Sequence, residues 1–209
     1  MPENFESAEE ILEGLIKLQR NYSSTYRAIV TEERYNNLVK SGLLKEVDFT
    51  ENAIREPLIE HVGNLPIVTA YLHQFIENKD RVDLGKTLAI LSVHDIGETV
   101  VGDMFCFAKT KSHGEKENKV AKKLLPNYQY KLYEEYENGS SLEAKFARAV
   151  DKLAPLVHEI ILPEVTRERF KIYDYNTEKI IEKRWQYFEW DKALKGVFEC
   201  VVERFRKIG

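Results

Sequence analysis

The chain has 209 residues, 43% of them hydrophobic, which is ample for a sizeable buried core. Its 31 basic and 35 acidic residues leave a net charge of −4 from mixed signs, so no global basic field argues for a nucleic acid polymer as partner. No apolar run approaches the roughly 18 residues of a transmembrane helix, and Met1-Pro2-Glu3-Asn4-Phe5-Glu6 lacks a signal peptide's basic start and apolar stretch; no membrane partner and a cytoplasmic location are expected.

In chain order, Ser7 with Glu10 three residues on forms a capping box for a helix to about Arg20, with Ile11, Leu12, Leu15, Ile16 and Leu18 on its apolar side. Thr31 to Leu44 reads as a second helix, ending at Ser41-Gly42. Pro57 to about Asn78 carries Leu58, Val62, Leu65, Leu72 and Ile76 on one stripe, with His61 at its edge and an expected kink at Pro66. Asp83 to Glu98 follows, then Glu115 to Leu125, then Tyr128 to Glu137 closed by Asn138-Gly139. Ser141 to Leu162 places Phe146, Val150, Leu153, Val157 and Ile160 at helical spacing with Asp151 beside them; Pro155 should bend this helix or start a new one. The last segments are Thr177 to about Phe188 and Lys192 to Lys207. Strand alternation is weak everywhere, so an all-α fold is expected. Cys106 and Cys200 form no metal-binding spacing and no disulfide framework.

The chemistry concentrates where apolar patterning is interrupted. Leu84 to Val93 is apolar nearly all round and runs straight into His94-Asp95-Ile96-Gly97-Glu98. A buried carboxylate is costly unless paired or bound to a metal, so imidazoles and carboxylates from His61, His94, Asp95 and Asp151 are expected to converge on one divalent cation. At about 100° per residue, His94 and Asp95 diverge while Glu98 projects between them. Gly102 then lets the backbone turn Asp103 towards the cleft. Taken singly, His61 reads as a hydrogen-bonded core histidine, Glu98 as a solvent-facing carboxylate at a helix end, and Asp103 as a turn residue. Lys109, Lys111, Glu115 and Glu117 read as a solvated loop and helix start, and Tyr128, Tyr130, Tyr133 and Tyr136 as helix packing. Two imidazoles and two carboxylates without a thiolate suit manganese, cobalt, iron, magnesium or zinc.

Glu60-His61, His94-Asp95 with Glu98, Gly102-Asp103 and Asp151-Lys152-Leu153, in that order, resemble the HD-domain metal-dependent phosphohydrolases, and most closely the HD-domain 5′-deoxynucleotidases. The similarity extends to Tyr133-Glu134-Glu135-Tyr136-Glu137 and Ser141-Leu142-Glu143-Ala144-Lys145-Phe146. The resemblance implies a helical bundle in a single domain over 1–209, with an HD core at about 55–162, an N-terminal helical extension at 1–54 and C-terminal helices at 163–209. It implies His61, His94, Asp95 and Asp151 as metal ligands and Glu98 and Asp103 as catalytic residues. It also implies a phosphate-binding arginine, for which Arg20 in Leu15-Ile16-Lys17-Leu18-Gln19-Arg20-Asn21-Tyr22 is the nearest match and Arg55 the alternative. Two-metal HD enzymes use extra histidines between the HD pair and the last aspartate; only His113 lies there, so a single ion is the simpler expectation.

The implied reaction is hydrolysis of a (deoxy)nucleoside 5′-monophosphate to nucleoside and phosphate. One of Glu98 and Asp103 would accept the proton of water and the other protonate the leaving 5′ oxygen, Asp103 being the favoured acid. A cyclic nucleotide, a triphosphate or an alarmone is the alternative substrate, although the last two call for more cations than the HD stretch supplies. A helical regulatory protein with a structural metal is the alternative outside enzymes. The resemblance suggests a homodimer, with Tyr187, Phe188, Trp190 and Phe198 of the amphipathic terminal helices covering the partner. No linear pattern encodes the base, or discrimination against a 2′-hydroxyl.

Overall fold

The computed structural model describes residues 7–24, 58–104, 109–172 and 176–208, and every regular element among them is helical. Helix α1 spans Ala8–Ser24 and opens on the expected capping box: Ser7 N–H donates to Glu10 Oε2 at 2.6 Å and Glu10 N–H donates to Ser7 Oγ at 3.3 Å. The expected helix at Thr31 to Leu44, Arg55 and Cys106 lie outside the described residues, as does the side chain of Arg20.

Helix α2 is Leu58–His73, shorter than expected because the chain leaves it for a 3-10 turn at Lys79–Arg81. Asp83 then caps α3, Leu84–Leu91, accepting from Lys86 N–H at 3.0 Å. The expected continuation of this helix to Glu98 does not occur. After Leu91 the backbone tightens into successive i to i+3 bonds, including Ile96 N–H to Val93 O at 3.2 Å and Glu98 N–H to Asp95 O at 3.0 Å. Glu98 therefore opens the short helix α4, Glu98–Val101, instead of closing a long one. Gly102 follows at φ 89°, the left-handed region that a glycine enters without steric cost.

Helix α5, Lys111–Leu124, starts four residues earlier than expected because Thr110 caps it. Helix α6, Asn127–Asn138, ends at Gly139 with φ 58°, as its Asn-Gly pair predicts. Helix α7, Leu142–Ile161, is capped by Ser141 and runs unbroken through Pro155, so the alternative in which Pro155 starts a second helix is not what forms. Helix α8, Pro163–Ile172, lies within the stretch of C-terminal helices expected at 163–209, and its proline at the first helical position is a start signal. Helices α9, Thr177–Arg184, and α10, Lys192–Ile208, are joined through a 3-10 turn at Trp185–Tyr187.

Helix α7 is the central element. It packs against α1, α2, α3 and α10, and its Phe146, Val150, Leu153 and Val157 are fully buried. Each such side chain contributes about 1.5–3 kcal/mol relative to exposure. Phe188 and Phe198 belong to this interior too, with rings stacked at 4.4 Å, so they are not the partner-covering aromatics expected of them. Among the described residues no helix is long and apolar enough to cross a membrane.

Candidate metal centre

Three elements bring the expected donors together. His61 comes from the end of the first turn of α2, His94 and Asp95 from the tight turn after α3, and Asp151 from the middle of α7. Among the described residues, His61, His94 and Asp151 each offer a ligand atom within 4.8 Å of the other two. Asp95 borders this set, its Oδ2 lying 3.1 Å from His94 Nε2 and 3.6 Å from His61 Nε2. Asp151 Oδ1 lies 3.2 Å from His61 Nε2 and 3.4 Å from His94 Nε2.

The donor set fits a divalent cation. His94 is 3% exposed, and its Nε2 is a buried nitrogen without a hydrogen-bond partner. Its Nδ1 lies 2.8 Å from the Leu91 carbonyl oxygen, an acceptor, so Nδ1 carries a proton and Nε2 is the nitrogen left to meet a metal. Burial pulls both imidazoles towards the neutral form, but Asp151 and Asp95 outweigh it, raising His61 and taking His94 to about 10. The carboxylates thus demand positive charge at the nitrogen lone pairs, and a metal ion competes with protons for that place.

Asp151 is held from its other side. The Tyr136 hydroxyl on α6 donates to Asp151 Oδ2, and Lys152 Nζ lies 2.5 Å from the same oxygen. Burial would raise the Asp151 carboxyl, yet Lys152 and His94 hold it well below the ordinary range, so it stays ionised. Tyr136, read from sequence as packing, is buried and its hydroxyl is pushed well above its ordinary value by burial and by Asp151. Nothing linear marks it, because the bond spans two helices.

Glu98 is placed by the tight turn. Glu98 N–H donates to the Asp95 carbonyl oxygen at 3.0 Å, and the Asp95 charge reaches its carboxyl. Burial first, and the Asp95 charge second, push the Glu98 carboxyl up to about 7, against the opposing pull of Lys109. Lys109 Nζ donates to Glu98 Oε1 at 3.2 Å and pairs with Glu117 Oε2 at 2.7 Å. Glu117 is buried, which corrects its reading as part of a solvated helix start, whereas Lys109 is exposed just before the helix as expected. A signal was present: Glu117 lies four residues before Ala121 and shares its buried face on α5. Asp103 is exposed after Gly102, and its charge also raises Glu98.

A cavity of about 290 Å³ opens beside His94, Asp95 and Glu98. Five basic side chains line it: Lys109, Arg148, Lys152, Lys183 and Arg184. Lys109, Arg148 and Lys152 belong to the expected HD core, and α9 adds Lys183 and Arg184 from beyond it. Tyr133, Tyr136 and Tyr187 line the cavity as well, the last under the Arg148 guanidinium at 5.0 Å.

The HD domain family profile matches residues 49–189. The 5′-deoxynucleotidases HDDC2 of Mus musculus and Homo sapiens are 28% and 27% identical to this chain over 148 residues, which is 64% of this chain and 72% and 70% of theirs. A solved protein from Magnetospirillum magnetotacticum MS-1, described as a predicted metal-dependent phosphohydrolase, is similar at a TM-score of 0.65 and 26% identity, over 84% of this chain and 95% of that one. A solved protein from Pyrococcus horikoshii OT3 shares the fold at a TM-score of 0.53 and 21% identity, over 84% of this chain and 99% of that one.

Proposed function

Since the chain belongs to the HD domain family of metal-dependent phosphohydrolases, we propose that its reaction is hydrolysis of (deoxy)nucleoside 5′-monophosphates to nucleoside and phosphate, carried by a single domain. The observation that carries this reading is the meeting of His61, His94 and Asp151, with Asp95 at their border, beside a cavity lined by Glu98 and basic side chains. The names of the two mammalian relatives support the 5′-monophosphate as substrate.

His61, His94, Asp95 and Asp151 would hold one divalent ion of the manganese, cobalt, magnesium, iron or zinc class. When bound, it acidifies water and draws charge from phosphoryl oxygens. Glu98, with its carboxyl near 7, is suited to take the proton of the attacking water. The water oxygen bonds to phosphorus as the bond to the 5′ oxygen breaks, and Asp103 returns a proton to that leaving oxygen. Lys152 and Arg184 line the cavity where the phosphate anion would sit. On the sequence pattern, Arg20 or Arg55 supplies the bidentate phosphate clamp, which a lysine cannot do.

A second reading, a substrate with more than one phosphate, draws on the five cations of the cavity. The deciding experiment is a phosphate-release screen of nucleoside mono- and triphosphates, cyclic nucleotides and an alarmone, with each metal added back after chelation. Deoxynucleoside 5′-monophosphates are expected to be hydrolysed fastest. Turnover confined to triphosphates or the alarmone would favour the second reading, and no phosphoester hydrolysis with any metal overturns both.

A further inference from the structure

The scheme above leaves Glu117 without a task. This carboxylate is 5% exposed. It meets the HD turn at close range: a Cβ on Gly97 would stand 2.7 Å from both the Cβ and the carbonyl oxygen of Glu117. Its two carboxylate oxygens face different partners. Oε2 pairs with Lys109 Nζ at 2.7 Å, and the same ammonium donates to Glu98 Oε1 at 3.2 Å. Oε1 faces His113 Nε2 at 3.3 Å, and that nitrogen also lies 3.4 Å from the carbonyl oxygen of Gly102, the residue before Asp103.

One buried carboxylate thus reaches Glu98 through a cation and the Asp103 segment through an imidazole. The scaffold for both links is rigid. Thr110 caps α5 by accepting from His113 N–H at 3.3 Å, which fixes where the chain enters the helix directly after Lys109. His113 and Glu117 stand at i and i+4 on one face. A lysine has a flexible four-carbon stem, so without the Glu117 carboxylate nothing else described at this point shares its ammonium with Glu98.

We propose that Glu117 is a positioning residue for the hydrolytic step: it fixes Lys109 against Glu98 and His113 against the Gly102 carbonyl, and so sets the placement of the two carboxylates that flank the metal centre. The proposal rests on the reading of Glu98 as proton acceptor. If Glu117 only neutralised Lys109 for the sake of folding, its loss would reduce stability and leave turnover per folded molecule alone.

The test uses the full chain with manganese and deoxyadenosine 5′-monophosphate. Glu117→Gln keeps the shape and removes the charge, and is expected to lower kcat about 10–100-fold while KM and bound metal stay within about twofold. In a Lys109→Met background the same change is expected to cost less kcat than it does in the parent, because one of its two links is already cut. Wild-type kcat in Glu117→Gln, or losses that multiply in full in the double variant, overturns the proposal. If Glu117→Gln does not fold, Lys109→Met and His113→Ala each cut one of its two links, and wild-type kcat in both overturns it equally. Glu98→Gln assayed alongside separates the premise from the proposal. Full activity there removes the premise, whereas an inactive Glu98→Gln beside a fully active Glu117→Gln removes only the positioning role.

Discussion

His94 Nδ1 lies 2.8 Å from the carbonyl oxygen of Leu91, the last residue of α3, and this bond aims the other ring nitrogen at His61, Asp95 and Asp151. The helix end therefore orients the proposed ligand: its carbonyl, left free where the helix stops, takes up the ring proton. Asparagine offers an amide N–H near the Nδ1 position but nothing at Nε2. His94→Asn is accordingly expected to keep the fold and lose bound metal and phosphate release together. Metal analysis beside circular dichroism checks this, and full metal content in the variant would sink the ligand assignment.

A second expectation concerns pH. Burial and Asp95 raise the Glu98 carboxyl to about 7, so a reaction that needs it ionised gains activity as pH rises through about 7, far above the ordinary carboxylate range near 4.5. Lys109 pulls that value down, so Lys109→Met should move the acidic limb of kcat/KM to higher pH. Glu98→Gln should keep the metal and lose about 10²–10⁴ in rate. Loss of the metal with Glu98 would instead make it a ligand, and an unmoved limb in Lys109→Met would exclude Glu98 as the titrating group.

Tyr136→Phe removes one oxygen from behind Asp151 and leaves the ring in place. Outer-shell partners of this kind typically change metal affinity about 10–100-fold, and a hydrogen bond to a charged acceptor contributes about 1.5–3 kcal/mol. Weaker metal binding in a competition assay, with a modestly lower Tm, is the expected outcome. Unchanged affinity would mean that Lys152 alone holds Asp151.

The helical class was legible because apolar stripes at helical spacing and capping pairs such as Ser7 with Glu10 are local signals. The His61, His94 and Asp151 cluster was legible for a different reason: polar groups interrupt runs that should otherwise be buried. What stayed hidden depends on winding and on distant segments. Uniform α-geometry carried the Asp83 helix through to Glu98, whereas the chain turns after Leu91 and Glu98 opens a new short helix. Lys183 and Arg184 reach the cavity from α9, and Tyr136 reaches Asp151 from α6, contacts that no spacing within one segment encodes.

Gly97 allows the HD turn and α5 to touch. Its backbone, φ −61° and ψ −36°, is ordinary right-handed geometry that alanine adopts readily, so any effect of Gly97→Ala is steric and not conformational. The added methyl would meet the Cβ, Cα and carbonyl oxygen of Glu117 at 2.7–2.8 Å, and backbone atoms cannot step aside as a side-chain tip can. In a helix, alanine is worth roughly 0.5–1 kcal/mol over glycine, but overpacking typically costs about 1–3 kcal/mol. The clash should win, giving a lower Tm and, because α5 moves with Glu117 and Lys109, reduced turnover with the metal retained. Thermal unfolding and metal content measured on the same preparation check both halves. A Tm at or above that of the parent would show that α5 does not pack this closely on the HD turn.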